Sequence, residues 1–423
     1  MNRAAVVGGS PQTRRVLRVA VVLLLLSVTV LERFGVTAGA LSATAALLAI
    51  YPFLVVAGVA GALSLSLERT LLYVACLVVA LASTLVNEAS VSIGSLALIA
   101  VMYLPFVFVL RDGALGHGDA AWIFRRFLDL TALCAVIGVA QFAAQLVIHA
   151  DWLFDFTAYI PPSLRANGLF NTVIPIGSLN KSNGFFFREP SGYSYLMALG
   201  LVAESVSFKR PQRLACLGLA LLLTYSGTGI LALLIAMLHP FGAKTVLRLS
   251  IVACVFALVF WLFGDALNLS FTLGRVGEFN AESSSGYIRY IAPGRLLSET
   301  FGANAFTVWL GHGPGTILRT VRPYQFHDPT WAKLLFEYGA LGFLAFLALF
   351  LATLRRPGLP LQLRAALFWG WLIMGGHLLS PEQNYLTLVL VGLTPIGSSI
   401  GAGAERRHSR PSSVPLRTPA LSI

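Results

Sequence analysis

Charge is scarce in this chain. Asp, Glu, Lys and Arg make up 11% of its 423 residues, whereas a typical soluble domain has about 25%. Hydrophobic residues make up 57%, and the mean hydropathy is +0.79. So little charge cannot form the polar surface of a soluble protein of this size. The composition therefore predicts a polytopic membrane protein.

Several motifs that carry chemistry in other proteins are also missing. The sequence has no Cys-x-x-Cys, no His-Glu-x-x-His, no Asp-x-Asp pair and no Gly-Lys-Ser/Thr phosphate loop. Its four cysteines lie inside apolar runs, where we interpret them as packing residues. The net charge of +12 is scattered between apolar runs instead of forming one patch. We therefore expect no metal, no cofactor and no nucleic-acid partner.

Apolar runs of about 15 to 20 residues, the length that crosses a bilayer, recur along the chain. They lie near residues 17–35, 43–65, 70–86, 93–110, 127–148, 191–207, 247–263, 331–352, 364–379 and 385–400. The first lacks an evident cleavage site and is expected to be a retained helix. The run from Leu214 to Leu238 contains Ser226-Gly227-Thr228-Gly229 and is interpreted as a hairpin of two short helices. About twelve spans result.

Charge favours the hairpin. With twelve spans, both termini and most loop Lys and Arg residues share one side, which the positive-inside rule makes the cytoplasm. A single crossing would move Lys244 and Arg248 outside together with the arginine-rich C-terminus. The hairpin topology places Thr228 and residues 264–330 outside, and Lys244 and Arg355 inside.

The expected organisation is one transmembrane domain over residues 1–404. Two long loops, at about 150–187 and 264–330, face outward, and long loops in compact domains are usually functional. Residues 405–423, rich in Arg, Ser and Pro, are expected to form a disordered cytoplasmic tail.

Polar residues that are unusual for such a chain gather on the outward side. They are Lys181, Arg188, Glu189, Ser226, Thr228, Arg289, Arg295, His312, His327 and Asp328. Pro190 is typical of the first turn of a helix, whose free N–H groups attract anions. Arginines next to such a site, with a histidine, suit a diphosphate substrate. Guanidinium groups bind its oxygens bidentately, and histidine can take a proton from an attacking hydroxyl.

Each of these residues also has a purely structural interpretation. Arg188 would snorkel at the membrane interface and pair with Glu189. Arg295 would be a solvated loop charge, and His312 would serve the turn formed by its neighbouring glycines. Lys333 and Glu337 would pair along a helix at positions i and i+4. Gly227 and Gly229 would only let two helices approach closely.

Four segments, in this order, resemble the O-antigen polymerase and O-antigen ligase superfamily of bacterial inner-membrane glycosyltransferases. They are "KSNGFFFREPSGYSYLMAL", "LLLTYSGTGILAL", "SGYIRY" with "WLGHGPGTI", and "FHDPTWAKLLFEYGALGFLAFL". Together they cover about residues 181–350. The resemblance implies an all-α, membrane-embedded glycosyltransferase of the GT-C-like type. It would act without metal at the periplasmic face, on glycans linked to undecaprenyl diphosphate.

On this basis each candidate residue has an expected role. Arg188 and Arg289 would bind the diphosphate, with Lys181 and Arg295 as weaker candidates. His327 would be the base or would position the acceptor, with Glu189 next in order. The remaining candidates are His312, Asp328, Ser226 and Thr228. Asp328 would accept a ring N–H of the neighbouring His327 and so fix which nitrogen faces the acceptor.

The sequence predicts a polymerase that joins lipid-linked repeat units of an O-antigen, capsule or exopolysaccharide. A ligase that transfers the glycan to lipid A–core shares every motif and is a close alternative. A lipid-linked glycan flippase or secondary transporter is a second alternative, although such proteins are usually built from two related halves and the sequence has no such repeat. By analogy, a chain-length regulator and a flippase of the same pathway are expected partners.

Overall fold

The protein is described by a computed structural model, and its helices account for most of the described chain. The described residues are 11–38, 41–87, 91–111, 117–148, 150–166, 172–240, 242–264, 281–282, 284–301, 305–356, 358–374 and 377–393. The helices are α1 (Pro11–Thr29), α2 (Ala45–Val59), α3 (Leu67–Val86), α4 (Ile93–Tyr103), α5 (His117–Ala144), α6 (Pro190–Val206), α7 (Pro211–Leu222), α8 (Gly227–Met237), α9 (Ala243–Phe263), α10 (Ala292–Thr300), α11 (Ala305–Leu310), α12 (Thr330–Leu354), α13 (Leu361–Ile373) and α14 (Pro381–Leu393).

Three helical segments among the described residues are long and apolar enough to cross a membrane. They are Leu67–Val86 in α3, Ala121–Ala144 in α5 and Thr330–Leu354 in α12. Other apolar helices are shorter, including α7 and α8. The expected division of residues 214–238 into two short helices is confirmed, because residues 223–226 separate α7 from α8. Both helices pack on α6.

Three short antiparallel strand pairs lie among the described residues, and the first two occupy places where the sequence predicted helix ends. They are β1 (Gly35–Ala38) with β2 (Leu41–Thr44), β3 (Leu63–Leu65) with β4 (Phe108–Leu110), and β5 (Pro175–Ile176) with β6 (Leu179–Asn180). The predicted spans 43–65 and 93–110 therefore both ended too late. Gly61, at a φ of 66°, follows the end of α2, and Pro105 follows the end of α4.

The first predicted span also ended too late, because α1 stops at Thr29. Glu32 and Arg33, which the sequence placed within that span, lie in the connection to β1. The tail 405–423 and the end of the last predicted span lie outside the described residues. So do residues 265–280 of the second predicted loop.

Helix α6 lies at the centre of the core. Its tyrosines face glycines of neighbouring helices: an added Cβ at Gly138 of α5 would lie 2.0 Å from the Tyr193 hydroxyl. The same distance separates a Cβ at Gly370 of α13 from the Tyr195 hydroxyl. Each hydroxyl donates to a carbonyl on the same neighbour, 3.1 Å to Cys134 O and 3.2 Å to Ala366 O. Small residues thus let helices pack closely around α6.

Helix α12 is kinked at Gly339, where φ is 65° and ψ is −167°. The loop "GHGPG" lies against this kink. The N–H groups of His312 and Gly313 donate to the carbonyls of Phe336 (2.8 Å) and Glu337 (2.9 Å). The Ser83 hydroxyl of α3 also donates to Glu337 O, at 2.8 Å. These bonds satisfy carbonyls that the kink removes from the helix ladder.

Candidate functional site

The loop before α6 is held by side chains from distant parts of the chain. The Ser182 hydroxyl donates to Gln141 Oε1 at 3.0 Å, and Gln141 Nε2 donates to Asn183 Oδ1 at 2.7 Å. Asn183 Oδ1 also accepts the Phe185 N–H at 3.1 Å. Phe185 has a φ of 63°, which is uncommon for a residue with a Cβ. A well-bonded loop therefore keeps a strained residue three positions before Arg188.

Arg33 anchors the same loop from the N-terminal part of the chain. It is fully buried, and its Nε donates to Phe187 O at 2.7 Å. Its guanidinium carbon lies 4.8 Å from the centre of the Phe156 ring, which stacks on Phe185. Burial lowers the pKa of Arg33 to about 10, against the opposing charges of Glu32 and Asp155. Arg33 is therefore a charged positioning group for the segment that carries Arg188.

Helix α6 begins at Pro190, as predicted, and Glu189 is its N-cap residue. The Glu189 side chain makes no capping bond and instead interacts with the Ser191 hydroxyl and with Arg289. The Arg188 guanidinium makes no hydrogen bond or ion pair within the described part of the chain. Glu189 therefore pairs with Arg289 and not with Arg188, which was its partner in the purely structural interpretation.

Arg289 lies on a π-helical turn, Tyr287–Ile291. Such turns are rare in proteins, and many of those that occur lie at functional sites. Arg289 Nη2 lies 3.4 Å from Glu189 Oε2, and Nη1 donates to the Thr228 hydroxyl at 3.2 Å. Glu189 remains 41% exposed and Arg289 17% exposed, so a ligand can reach both side chains.

Thr228 belongs to the first turn of α8, which packs closely on α6. The Gly229 N–H donates to Ser194 Oγ at 3.1 Å. A Cβ at Gly229 would lie 2.3 Å from Ser194 O, whereas one at Gly227 would meet nothing within 4 Å. The close approach of α6 and α8 therefore explains why residue 229 is a glycine. It does not explain the glycine at position 227. The approach brings the N-termini of α6 and α8 together at Arg289.

His327 completes this cluster. Its N–H donates to Ile288 O at 3.0 Å, next to Arg289, and its side chain is exposed. Partial burial and the charge of Arg289 lower the pKa of His327, while Glu189 and Asp328 oppose that shift. The imidazole is therefore neutral at pH 7 and can accept a proton.

Burial alone would raise the pKa of Glu189. The positive charge of Arg289, the Ser191 hydroxyl, His327 and Arg188 together hold the pKa below its ordinary value. Glu189 is therefore a carboxylate at neutral pH and a weak base, which leaves His327 as the better proton acceptor of the two.

Two carboxyl groups that the sequence did not single out also lie here. An added Cβ on Gly192, in the first turn of α6, would lie 3.5 Å from Glu32 Oε1. Glu32 interacts electrostatically with Glu382, Arg188, Glu189 and Arg33. Glu382 lies in the first turn of α14 and is 9% exposed. Each borders an apolar run, and that position is the only signal in the sequence that could have identified them.

Other predicted residues have different partners. Arg295 binds Glu282 at 2.8 Å, Glu299 at 3.1 Å and the Tyr287 hydroxyl at 3.3 Å. These contacts occupy its guanidinium on an exposed surface, in agreement with the interpretation as a solvated charge, although Arg295 lies in helix α10 and not in a loop. None of its three partners belongs to the cluster around Arg289.

His312 packs on Phe336 with ring centres 4.6 Å apart. Burial lowers its pKa, the Thr300 carbonyl opposes that shift, and Arg322 adds to it. The glycines on either side, Gly311 and Gly313, have φ values of 70° and 95°. An added Cβ at Gly311 would lie 2.5 Å from the Glu337 backbone. The loop geometry therefore accounts for this segment.

Asp328 does not orient the His327 ring as the sequence suggested. Its Oδ2 lies 2.7 Å from Lys333 Nζ, and Lys333 also lies 3.5 Å from Glu337, as expected for the helical pair. No hydrogen bond joins Asp328 to the His327 ring among the described residues. Asp328 thus holds Lys333, a lysine with 1% side-chain exposure.

Lys181 and Ser226 are buried near the hairpin turn. Lys181 is 4% exposed, and its N–H donates to Ile174 O at 2.9 Å. Ser226 is the N-cap residue of α8 but makes no side-chain capping bond. Ser182, next to Lys181, donates its N–H to Leu223 O at 3.1 Å, which fixes the loop to the turn.

The site therefore combines Arg188, Arg289, Glu189, Thr228 and His327 at adjoining helix N-termini. Within the described residues, no group of three His, Cys, Asp or Glu side chains is arranged to hold a metal ion. Comparison of the chain with models of known protein families and with curated proteins gives no match.

Proposed function

We propose that this protein is a polysaccharide polymerase that uses glycans linked to undecaprenyl diphosphate. It transfers an oligosaccharide from that donor to the end sugar of another lipid-linked repeat unit, without a metal. The proposal combines the family resemblance of residues 181–350 with the arrangement of the polar cluster. Its bilayer setting is supported by the three long apolar helices in the described chain.

The single observation that carries the proposal is the convergence of two arginines at helix N-termini. Arg188 precedes α6 and has no ion pair to a described residue, and Arg289 reaches the first turn of α8 through Thr228. Guanidinium groups and free helix N–H groups both favour anions with several oxygens. Two such elements side by side suit the two phosphates of a lipid-linked donor.

The reaction follows from this assignment. The acceptor hydroxyl attacks the anomeric carbon, the bond from that carbon to the diphosphate oxygen breaks, and the lipid diphosphate leaves with the bonding electron pair. His327 takes the hydroxyl proton, since its imidazole is neutral at pH 7. Arg188 and Arg289 stabilise the negative charge on the leaving group. The donor itself supplies the energy.

We further propose about twelve spans in a GT-C-like arrangement, with both termini cytoplasmic and the polar cluster periplasmic. The opposite ends of α3 and α12 carry Arg69, which donates to Thr353 O at 3.2 Å, and Arg355, which lies 3.5 Å from Glu68. Basic residues at that end and a substrate site at the other agree with the positive-inside rule.

The test is deletion of the gene, with complementation by the wild-type chain or by Arg188→Ala, followed by gel analysis of surface glycans. Loss of long polymer with one repeat unit remaining on its carrier supports the polymerase. Core lacking any repeat unit identifies the ligase instead. An unchanged glycan pattern rules out both activities in this pathway.

A further inference from the structure

Glu32 and Glu382 interact electrostatically although 350 positions separate them in the sequence, and Glu32 lies at the entrance to α6. Glu32 follows α1, and its carboxyl oxygens lie 3.5 and 3.8 Å from the position of an added Cβ on Gly192. Gly192 therefore leaves room for this carboxyl group at the first turn of the helix. Glu32 is partly exposed, so a ligand in the site can reach it.

Glu382 is nine-tenths buried beside it, with 9% exposure. The side chain interacts with the Thr44 hydroxyl, and Oε1 has no hydrogen-bond partner among the described residues. Arg188, which also has no ion pair to a described residue, interacts with both carboxyl groups. Arg188 is thus near enough to interact electrostatically with both carboxyl groups, and it forms an ion pair with neither.

We propose that Glu32 is a hydrogen-bond donor to the diphosphate of the lipid-linked substrate, beside the Arg188 guanidinium. The assignment rests on the function proposed above and adds a residue to its donor site. Glu382 is a positioning residue that acts through Glu32, because its neighbouring carboxyl group opposes loss of the Glu32 proton.

The proton on Glu32 decides the sign of its interaction with an anion. An ionised carboxylate beside Arg188 would repel a diphosphate, whereas a protonated carboxyl group donates one O–H bond. Burial, then Glu382 and Glu189, raise the pKa of Glu32 to about 8, although Arg188 and Arg33 oppose the shift. Roughly nine-tenths of the Glu32 side chains are therefore protonated at pH 7. Arg188 then remains available to the ligand.

Binding should accordingly weaken as the pH rises through 8. If only the protonated form of Glu32 binds, the dissociation constant increases about tenfold between pH 7 and pH 9. Glu32→Gln keeps a donor that does not titrate, so its dissociation constant should change less than about twofold over that range. Glu382→Gln removes the neighbouring charge, so the loss of binding should move to lower pH.

The experiment measures equilibrium binding by the full chain in lipid nanodiscs. The probe is a short polyprenyl diphosphate carrying one N-acetylglucosamine, whose diphosphate diester has no group that titrates between about pH 6 and 9. Wild type, Glu32→Gln and Glu382→Gln are compared with Glu68→Gln. Glu68 is 61% exposed and pairs with Arg355 at the opposite end of the helices. This control should retain the wild-type pH dependence.

The outcomes separate the two proposals. Binding by wild type that does not change with pH, or pH dependence that persists in Glu32→Gln, overturns the role of Glu32 and leaves the diphosphate donor in place. Absence of binding by wild type at every pH removes the diphosphate donor and the Glu32 assignment together. A dissociation constant that does not change with pH in Glu32→Gln, with a midpoint at lower pH in Glu382→Gln, supports both the diphosphate donor and the role of Glu32.

Discussion

Arg188 and Arg289 are the two side chains whose chemistry the proposed reaction depends on most. Arg188 has no hydrogen-bonding or ion-pairing partner in the described chain, and Arg289 already bridges Glu189 and Thr228. Both are guanidinium groups, whose planar fork can bind two oxygens of one phosphate. Lysine keeps the charge but loses that fork.

We therefore expect Arg188→Lys to be nearly as damaging as Arg188→Ala, and Arg289→Lys nearly as damaging as Arg289→Ala. Losing charge-assisted hydrogen bonds costs about 1.5–3 kcal/mol, which is about 13- to 160-fold in kcat/KM. Polymer synthesis by purified protein in lipid is the measurement. Arg126→Lys is the control, since Arg126 is 47% exposed and pairs with Asp129 at 3.1 Å. Near-normal synthesis by both lysine variants at the site would mean that these arginines only snorkel.

The two histidines should differ in the same assay. A general base contributes about 10²–10⁴-fold to turnover, so His327→Ala should lower kcat by that factor and leave donor binding largely intact. His312→Ala should cost much less, because His312 stacks on Phe336 in a loop whose geometry is fixed by glycine. If His312→Ala loses turnover while donor still binds, the base is assigned to the wrong residue.

The direction of the pKa shift at His327 adds a pH dependence. Partial burial and Arg289 lower the pKa, so the neutral, proton-accepting form persists below pH 6.5. Turnover by wild type should fall only on the acidic side of that value. His327→Ala should remove this acidic limb from the profile of kcat against pH.

At the scale of elements, the interlock is the set of backbone contacts between the kink of α12 and the segment that includes the "GHGPG" loop. It fixes the start of α12, which follows His327. Gly339 combines a φ of 65° with a ψ of −167°, a conformation that is essentially restricted to glycine. A Cβ there would lie 2.4 Å from the Trp309 backbone. Backbone lies directly against backbone at Gly339 and at Gly311, and a side chain at either glycine would prevent that approach.

Gly339→Ala should therefore lower the free energy of unfolding by at least about 1–3 kcal/mol, the cost of strained backbone alone. Gly218→Ala in α7 is the matched control, because an added Cβ there meets nothing within 4 Å. Alanine in a helix interior is favoured over glycine by about 1 kcal/mol. Thermal unfolding in detergent compares the two, and an unchanged midpoint for Gly339→Ala would falsify the interlock.

At the scale of the whole molecule, the polar cluster and the basic loops lie at opposite ends of the antiparallel helices α3 and α12. Ser83 Oγ meets Glu337 O at one end, and Arg69 meets Thr353 O at the other. The proposed topology assigns these two ends to opposite sides of the membrane. The positive-inside rule predicts that the end with the basic loops faces the cytoplasm.

Cysteine labelling in intact cells tests that orientation. Val321 is 87% exposed and Arg355 72% exposed, so both positions are accessible from their own side. In a background without the four native cysteines, Val321→Cys should react with an impermeant reagent from outside. Arg355→Cys should react only after the cells are opened. The reverse pattern would place the polar cluster in the cytoplasm.

Composition and pattern alone determined several features. Low charge and recurring apolar runs predicted a helical membrane protein. The sequence is sufficient for this because the hydrophobicity of a residue does not depend on which partner it packs against. Pro190 marked the start of α6, and Ser226 to Gly229 marked the hairpin, because prolines and glycines constrain the local backbone. The polar residues around Arg188, Arg289 and His327 could be identified from the sequence because charged residues are rare near apolar runs.

Tertiary structure decided the pairings. Glu189 pairs with Arg289 instead of its neighbour Arg188, Asp328 holds Lys333 instead of His327, and Glu32 joins the site from the far end of the chain. These choices depend on which helix N-termini pack together, and the contacts that set that packing are far apart in sequence. A local pattern records how deeply a residue is buried but does not record its partner. The partner is therefore known only once the fold is formed.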